Sequence, residues 1–225
     1  MREITYIEAL NETIFDAMKE DERVFVIGQG CTSPWYVGGL TLGLLDTFGS
    51  SRVIDTPVSE NAMTGAAVGA AIAGLRPILI FPRMDFMLYA MDPIINHAAK
   101  WHYMFGGAMS VPLVIIAIIN RGGSQGCQHS QDFTWMFKQV PGLKVARPSN
   151  PWEGKGMLTW AINEPNPVVF VDNRELYHLK DEVDRESFGV EPVQYHHQFG
   201  KMGPFCPVPS SHALEEAYFG RGYER

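Results

Sequence analysis

The sequence predicts an α/β fold with a doubly wound, mainly parallel β-sheet. Short strands alternate with helical segments as far as residue 172, a pattern typical of a parallel sheet covered by helices on both faces. The run 112–119 is apolar at every position, which predicts a strand buried on both sides. Ligands of such folds bind beyond the carboxyl ends of the strands, and the candidate side chains of this chain follow predicted strands.

The first helix is predicted over residues 4–19 from apolar residues at helical spacing, namely Ile7, Leu10, Ile14 and Met18. A β-branched strand at 23–27 follows, and then a loop at 28–38 that contains three glycines. The second helix is predicted at 40–48, because Gly49 is a natural helix stop.

The next strand is predicted at 52–54, and Ser59 after it is a candidate N-cap for the third helix. Gly74 ends that helix, and a strand at 77–81 follows. A long helix is predicted over 85–101, in which Pro93 should produce a kink or a new start.

The second half of the chain repeats the alternation. The buried strand at 112–119 leads into a glycine-rich loop at 120–128. The remaining predicted elements are a short helix at 131–137, a strand at 143–146, a helix at 152–162 and a strand at 168–172.

Composition excludes several classes of function. A formal net charge of −7 without any basic run argues against a nucleic-acid surface. The longest apolar run, 113–119, is too short to cross a bilayer, and the N-terminus lacks an apolar signal region, so no membrane association is expected. Cys31, Cys127 and Cys206 fit neither a zinc site nor a disulfide framework, which predicts a cytoplasmic location.

The stretch from Asp55 to Phe86 concentrates the candidate chemistry. A carboxylate, Glu60, stands where a strand passes into a helix of small residues. Each Gly in a helix costs about 1 kcal/mol relative to Ala, and close backbone approach to a large, flat partner is a reason to accept that cost. Because an aromatic residue follows the next strand, the stretch suits a planar heterocycle. The small residues are Ala62, Gly65, Ala66, Ala67, Gly69, Ala70, Ala71 and Ala73.

Several motifs occur in a characteristic order. They are Asp-Thr-Pro-Val-Ser-Glu at 55–60, Gly-Ala-Ala-Val-Gly-Ala-Ala-Ile-Ala-Gly-Leu-Arg-Pro at 65–77, Asp-Phe at 85–86, Gln-His-Ser-Gln at 128–131, Val-Pro-Gly-Leu-Lys-Val at 140–145 and Asn-Pro-Val-Val-Phe at 166–170. In these motifs the chain resembles the beta subunit of thiamine-diphosphate-dependent 2-oxo acid dehydrogenases of the pyruvate, branched-chain and acetoin type. The resemblance covers about residues 4–177 and implies a transketolase-type, pyrimidine-binding fold.

The resemblance implies a catalytic role for Glu60. Its carboxyl group would bond a ring nitrogen of thiamine diphosphate and favour the imino tautomer that activates the cofactor, a role that needs a buried carboxyl able to share a proton. The alternative is a glutamate in the first helical turn that only faces the helix dipole.

The resemblance also implies cofactor contacts by aromatic and amide side chains. Phe86 would pack on the pyrimidine ring, and its alternative is an ordinary core position. Tyr89 lies on the same segment and is a further candidate for the pocket. Gln29 stands in Gly28-Gln29-Gly30, where the family usually has Gly-Glu-Asp or Gly-Glu-Glu; an amide there still forms hydrogen bonds but carries no charge.

His129 is the second catalytic candidate. A histidine titrates near neutrality and can exchange protons with an oxo-acid substrate. The resemblance places the histidine of the His-Ser-Gln motif at the substrate end of the cofactor. The alternative is a loop histidine that caps Asp132 or a helix end.

A partner chain is also expected. The sequence contains no Gly-Asp-Gly followed by an Asn about one helix later, the arrangement that holds Mg²⁺ and the diphosphate in thiamine enzymes. The resemblance assigns that half of the site to an alpha-type subunit, so a hetero-oligomer is expected. It further implies a monovalent cation, K⁺, held by backbone carbonyls near Ala161, Ile162, Asn163 and Asn166.

These observations divide the chain into a pyrimidine-binding domain at 1–180 and an extended tail at 181–225. The tail includes a Pro-rich stretch that resembles the extreme C-terminus of the same subunits, without the second domain that the family places before it. The predicted function is a beta-type subunit that decarboxylates a 2-oxo acid and passes on the acyl or aldehyde unit. The alternatives are a transketolase-like carbon–carbon ligase without a lipoyl acceptor and a non-catalytic assembly or regulatory paralogue.

Overall fold

A six-stranded parallel β-sheet forms the centre of the structure, a computed structural model that describes residues 1–33, 35–123, 125–186 and 188–192. The strand order is β3-β2-β4-β5-β7-β6, and a separate antiparallel pair joins β1 to β8. The strands are β1 Arg2–Thr5, β2 Val24–Gly28, β3 Val53–Asp55, β4 Arg76–Phe81, β5 Val114–Ile119, β6 Lys144–Ala146, β7 Val168–Asn173 and β8 Lys180–Val183.

Helices cover both faces of this sheet, which confirms the predicted doubly wound α/β class. Successive strand residues alternate between two apolar cores; in β2, Val26 belongs to the core beneath α1 and α6, and Ile27 to the core beneath α3. Every residue of β5 is buried, as its unbroken apolar sequence predicts. The helices are α1 Tyr6–Glu20, α2 Leu44–Phe48, α3 Glu60–Ile72, α4 Ala99–Met104, α5 Thr134–Lys138 and α6 Pro151–Asn163.

Several predicted helices differ from the structure in their ends or caps. The first begins at Tyr6, because the residues before it pair with β8 and Thr5 forms a capping box with Glu8. The second is shorter than predicted, since residues 40–43 form turns. Ser59 occupies the N-cap position of α3, but its side chain forms no capping hydrogen bond.

The predicted long helix at 85–101 is three shorter elements. A 3₁₀ helix runs over Met84–Ala90, a π-helix over Pro93–Ala98, and α4 follows. The sequence-based alternative of a new start at Pro93 is confirmed, because this proline lies in the first turn of the π-helix, where its missing N–H costs no intrahelical bond.

Residues just beyond 180 pack against the helices that cover one face. Lys155 is fully buried and donates hydrogen bonds to Glu12 at 3.0 Å and to the carbonyl groups of Asp184 and Arg185 at 2.8 and 2.7 Å. Phe188 packs on Trp152 with ring centroids 5.2 Å apart. Residues 193–225 of the predicted tail lie outside the described ranges, so the division at residue 180 stays a prediction.

Because all six central strands are parallel, their carboxyl ends meet at one edge of the sheet. The segments after β2, β3, β4, β5 and β7 therefore converge there. They carry Glu60, Phe86 and His129, and also Gln29, where the sequence departs from the usual family motif.

Candidate active site

The segments that follow β4 and β5 are joined at the carboxyl edge. The rings of Phe86 and His129 meet edge to face, with centroids 5.2 Å apart. Asp85 accepts hydrogen bonds from the backbone and side-chain nitrogens of Gln131 at 3.2 and 2.8 Å. The structure thus brings together two candidates that lie 43 positions apart, 129 minus 86, and leaves both side chains half-buried.

Glu60 is the first residue of α3 and follows β3. Its side chain is buried, and no hydrogen bond or ion pair to it is present within the described residues. The hydroxyl of Thr64 bonds the backbone carbonyl of Glu60, not its carboxylate. The carboxyl is therefore available to accept a hydrogen bond from a ligand or a second chain.

Gln29 lies in the loop after β2, a short distance along the same edge. It is buried, and its Nε2 has no hydrogen-bond partner in the described part of the chain. Asp55 anchors this loop by accepting bonds from the backbone N–H of Gly30 and the hydroxyl of Thr32, both at 2.7 Å. A Cβ at Gly28 would collide with the carbonyl oxygen of Ile80, so glycine there lets the loop approach β4.

The structure places Tyr89 away from this cluster of contacts. Its side chain is 71% exposed on the 3₁₀ helix that also carries Phe86. Within the described ranges its ring forms no aromatic contact with Phe86 or His129, and its role in a pocket stays a prediction.

Four small residues of α3 face outward, whereas Ala67 and Ala71 pack into the core. A Cβ added at Gly65 or Gly69 would meet no atom within 4 Å in this chain, and Ala62 and Ala66 beside them are exposed. This arrangement agrees with the expectation that the helix packs closely on something outside the chain.

A buried group of ionisable side chains lies at the end of β7, and sequence patterns did not reveal it. The hydroxyl of Tyr177 donates to Oδ2 of Asp172 at 2.6 Å, while Asp172 Oδ1 and the hydroxyl of Tyr6 have no partner in the described residues. Burial raises the pKa of Asp172 to about 7, although the Tyr177 bond favours the ionised form. Asp172 sits in an apolar strand, so only its tertiary surroundings distinguish it.

The predicted cation-binding carbonyls lie at the opposite, amino edge of the sheet, between α6 and β7. The carbonyl of Ile162 accepts a bond from Arg76 at 2.7 Å, and that of Ala161 accepts one from the Glu164 N–H at 3.3 Å. Asn163 ends α6, and the backbone N–H of Asn166 donates to Glu164. A K⁺ site there stays a prediction.

Two other features are absent from the described part of the chain. No group of three or more His, Cys, Asp or Glu side chains is placed to hold a metal ion. Nor does any helix within those ranges have the length and apolar character needed to cross a membrane.

Comparison with known proteins identifies relatives of this arrangement. The family described as "Transketolase, pyrimidine binding domain" matches residues 2–180. The pyruvate dehydrogenase E1 component subunit beta of Rickettsia conorii is 41% identical over 193 residues, which are 86% of this chain and 58% of that protein. The acetoin:2,6-dichlorophenolindophenol oxidoreductase subunit beta of Bacillus subtilis is 38% identical over 201 residues, 84% of this chain and 59% of that protein.

Solved structures support the fold. A split-gene transketolase, described as an inactive beta4 tetramer, aligns with a TM-score of 0.65 and 16% identity over 84% of this chain and 57% of that one. A transketolase from Leishmania mexicana aligns with a TM-score of 0.62 and 20% identity over 84% of this chain and 27% of that one. The predicted fold and the predicted resemblance are thereby confirmed. The chain spans about three-fifths of the length of the curated relatives described above.

Proposed function

Because the chain belongs to the transketolase pyrimidine-binding domain family, we propose that it supplies the pyrimidine half of a thiamine-diphosphate site in a 2-oxo acid dehydrogenase. It would act there as the beta-type subunit, in the pyrimidine-binding domain formed by residues 1–180. The observation that carries the proposal is Glu60, a buried residue whose carboxyl has no partner within the described residues, in a chain about 40% identical to named beta subunits.

The residues at the carboxyl edge fit a planar, hydrogen-bonding ring. Glu60 would accept or share a proton at a ring nitrogen. Phe86 would pack on the ring, a contact worth roughly 0.5–1.5 kcal/mol beyond burial. The partnerless Nε2 of Gln29 would donate to a cofactor or substrate oxygen.

When bound, thiamine diphosphate would supply the electron sink that takes up the bonding electrons when a 2-oxo acid loses CO₂. His129 would then give or take a proton at the substrate oxygen. Its edge-to-face contact with Phe86 supports this role, because the contact orients the imidazole beside the residue proposed to hold the ring.

The remainder of the site belongs to a second chain under this proposal. An alpha-type subunit would hold Mg²⁺ and the diphosphate, and K⁺ would bind at the amino edge of this chain. The exposed small-residue face of α3 supports close packing with another subunit. A cytoplasmic location stays a prediction.

An activity assay on the native assembly tests the function. The chain is purified from its source cells with whatever subunit accompanies it, and 2-oxo-acid-dependent reduction of a dye is measured with CO₂ release. We expect both signals to require added thiamine diphosphate and Mg²⁺. Formation of a carbon–carbon bond without dye reduction would instead support the ligase alternative, and inactivity with every 2-oxo acid would support the non-catalytic one.

A further inference from the structure

Arg83 is a buried cation at the carboxyl end of β4. Its side chain is 9% exposed, and three of its N–H groups are engaged. Nε and Nη2 both donate to Oε1 of Gln125, at 2.8 and 2.5 Å, and Nη1 donates to the carbonyl of Pro82 at 2.5 Å. These acceptors are neutral, so hydrogen bonding is satisfied in part while the charge is not compensated.

No carboxylate of the described residues forms an ion pair with Arg83. Burial, followed by repulsion from Arg174, lowers the pKa of Arg83. Asp85 favours the charged form of Arg83 at longer range; Gln131 donates twice to its Oδ1, while its Oδ2 is buried without a hydrogen-bond partner in the described residues. A buried cation without a directly paired carboxylate is costly, and an anionic ligand would lower that cost.

The donors left over match an anion. A guanidinium has five N–H groups, so two of Arg83 remain after the three bonds above, one on each terminal nitrogen. Gln125 Oε1 also accepts a hydrogen bond from Asn120 Nδ2 at 3.0 Å. Because this oxygen faces Arg83 and Asn120, the amide nitrogen of the exposed Gln125 points away from them and is a further donor. Guanidinium N–H groups that are left over in this way can donate to carboxylate or phosphate oxygens.

The position of Arg83 links it to the proposed reaction. The N–H of Phe86 donates to the carbonyl of Arg83 at 3.2 Å, so both residues belong to one turn. Gln125 and His129 belong to one loop, and the two segments meet in both the Arg83–Gln125 and the Phe86–His129 contacts. An anion on Arg83 would therefore lie beside the ring proposed to hold the cofactor.

We propose that Arg83 and Gln125 bind a second anionic group of the donor, so that the donor is a 2-oxo acid with a further carboxylate or phosphate. This inference rests on the proposed function. The departing carboxylate is a poor candidate for Arg83, because it loses its charge as neutral CO₂ forms and its bonding electrons stay with the substrate carbon, so an ion pair there would stabilise the substrate more than the transition state.

The test uses the native assembly and compares Arg83→Met with Arg121→Met, a matched loss of an exposed arginine in the loop after β5. Turnover is measured with pyruvate, 2-oxoglutarate and 3-phosphohydroxypyruvate. We expect Arg83→Met to lower kcat/KM for one of the two dianionic donors by roughly 100-fold, mainly through KM, and to leave pyruvate within about threefold. The donor that is affected distinguishes carboxylate from phosphate.

A second measurement does not depend on turnover. Binding of glutarate and of inorganic phosphate to the assembly is followed by calorimetry, and one of them should bind to wild type and to Arg121→Met but not to Arg83→Met. If wild type converts no 2-oxo acid, the proposed function fails, while this binding result still judges the role of Arg83.

Three outcomes would overturn the inference while leaving the proposed function intact. An equal loss with pyruvate and with both dianionic donors would mean that Arg83 only supports the loop. A weakened affinity for thiamine diphosphate in Arg83→Met would assign the arginine to the cofactor. Unchanged kinetics and anion binding would mean that another chain neutralises Arg83.

Discussion

Replacing Glu60 with glutamine is expected to lower turnover by roughly 10²–10⁴-fold, the range typical of a lost general acid–base group. Glutamine keeps the size of the side chain and one hydrogen bond, but it cannot hold or share a proton. Affinity for thiamine diphosphate should change much less than turnover. The comparison is made by dye-linked kinetics and calorimetry on the native assembly.

The matched control is Glu175→Gln, which makes the same substitution on an exposed carboxylate after β7, at the same edge of the sheet. Its turnover should equal that of the wild type. If Glu60→Gln retained full turnover, the buried carboxyl would be an ordinary first-turn glutamate, and its proposed role would be lost.

The buried Asp172 is expected to make stability depend on pH. Its pKa is raised by burial to about 7 in the folded chain, compared with about 3.9 when unfolded, so the folded chain binds the proton more tightly. The stabilising contribution is fully present below the unfolded value and is lost as the pH rises through about 7. Relative to Asp172→Asn, the wild-type free energy of unfolding should therefore fall by about 1.4 kcal/mol per pH unit between about pH 4 and 7.

Urea unfolding of the full chain between about pH 5 and 8 measures this difference. Asn keeps an acceptor for the Tyr177 hydroxyl and does not titrate, so the two curves should run parallel above about pH 7. An exposed control, Asp46→Asn, should show no such slope relative to wild type. A constant difference between wild type and Asp172→Asn across the range would show that Asp172 stays ionised when buried.

The strands of the central sheet could be predicted because their own residues determine them. Unbroken apolar runs such as β5 are buried on both faces whatever their neighbours are. The pairing of β1 with β8 could not be predicted, because the two strands lie near opposite ends of the described residues and neither has a marked strand pattern. Pro93 predicts either a kink or a new helix start, and the structure shows a new start.

The site shows the same division between local and tertiary information. Glu60, Phe86 and His129 follow strands in recognisable motifs, so their convergence at one edge could be expected. Arg83 and Asp172 have no local signature, because one depends on contacts with Gln125 and the other on those with Tyr177 and Tyr6. Asp55 could be singled out because it opens the motif at 55–60. Its hydrogen bonds to Gly30 and Thr32 could not be predicted, because those residues lie in the loop after another strand.

The central claim is that this chain holds one half of a thiamine-diphosphate site that a second chain completes. Calorimetric titration of thiamine diphosphate with Mg²⁺, on the chain alone and then on the chain with its co-purified partner, tests it most directly. We predict saturable binding that requires the partner, with a stoichiometry of one cofactor per pair of chains. Absence of binding in both preparations would contradict the claim and favour a non-catalytic subunit.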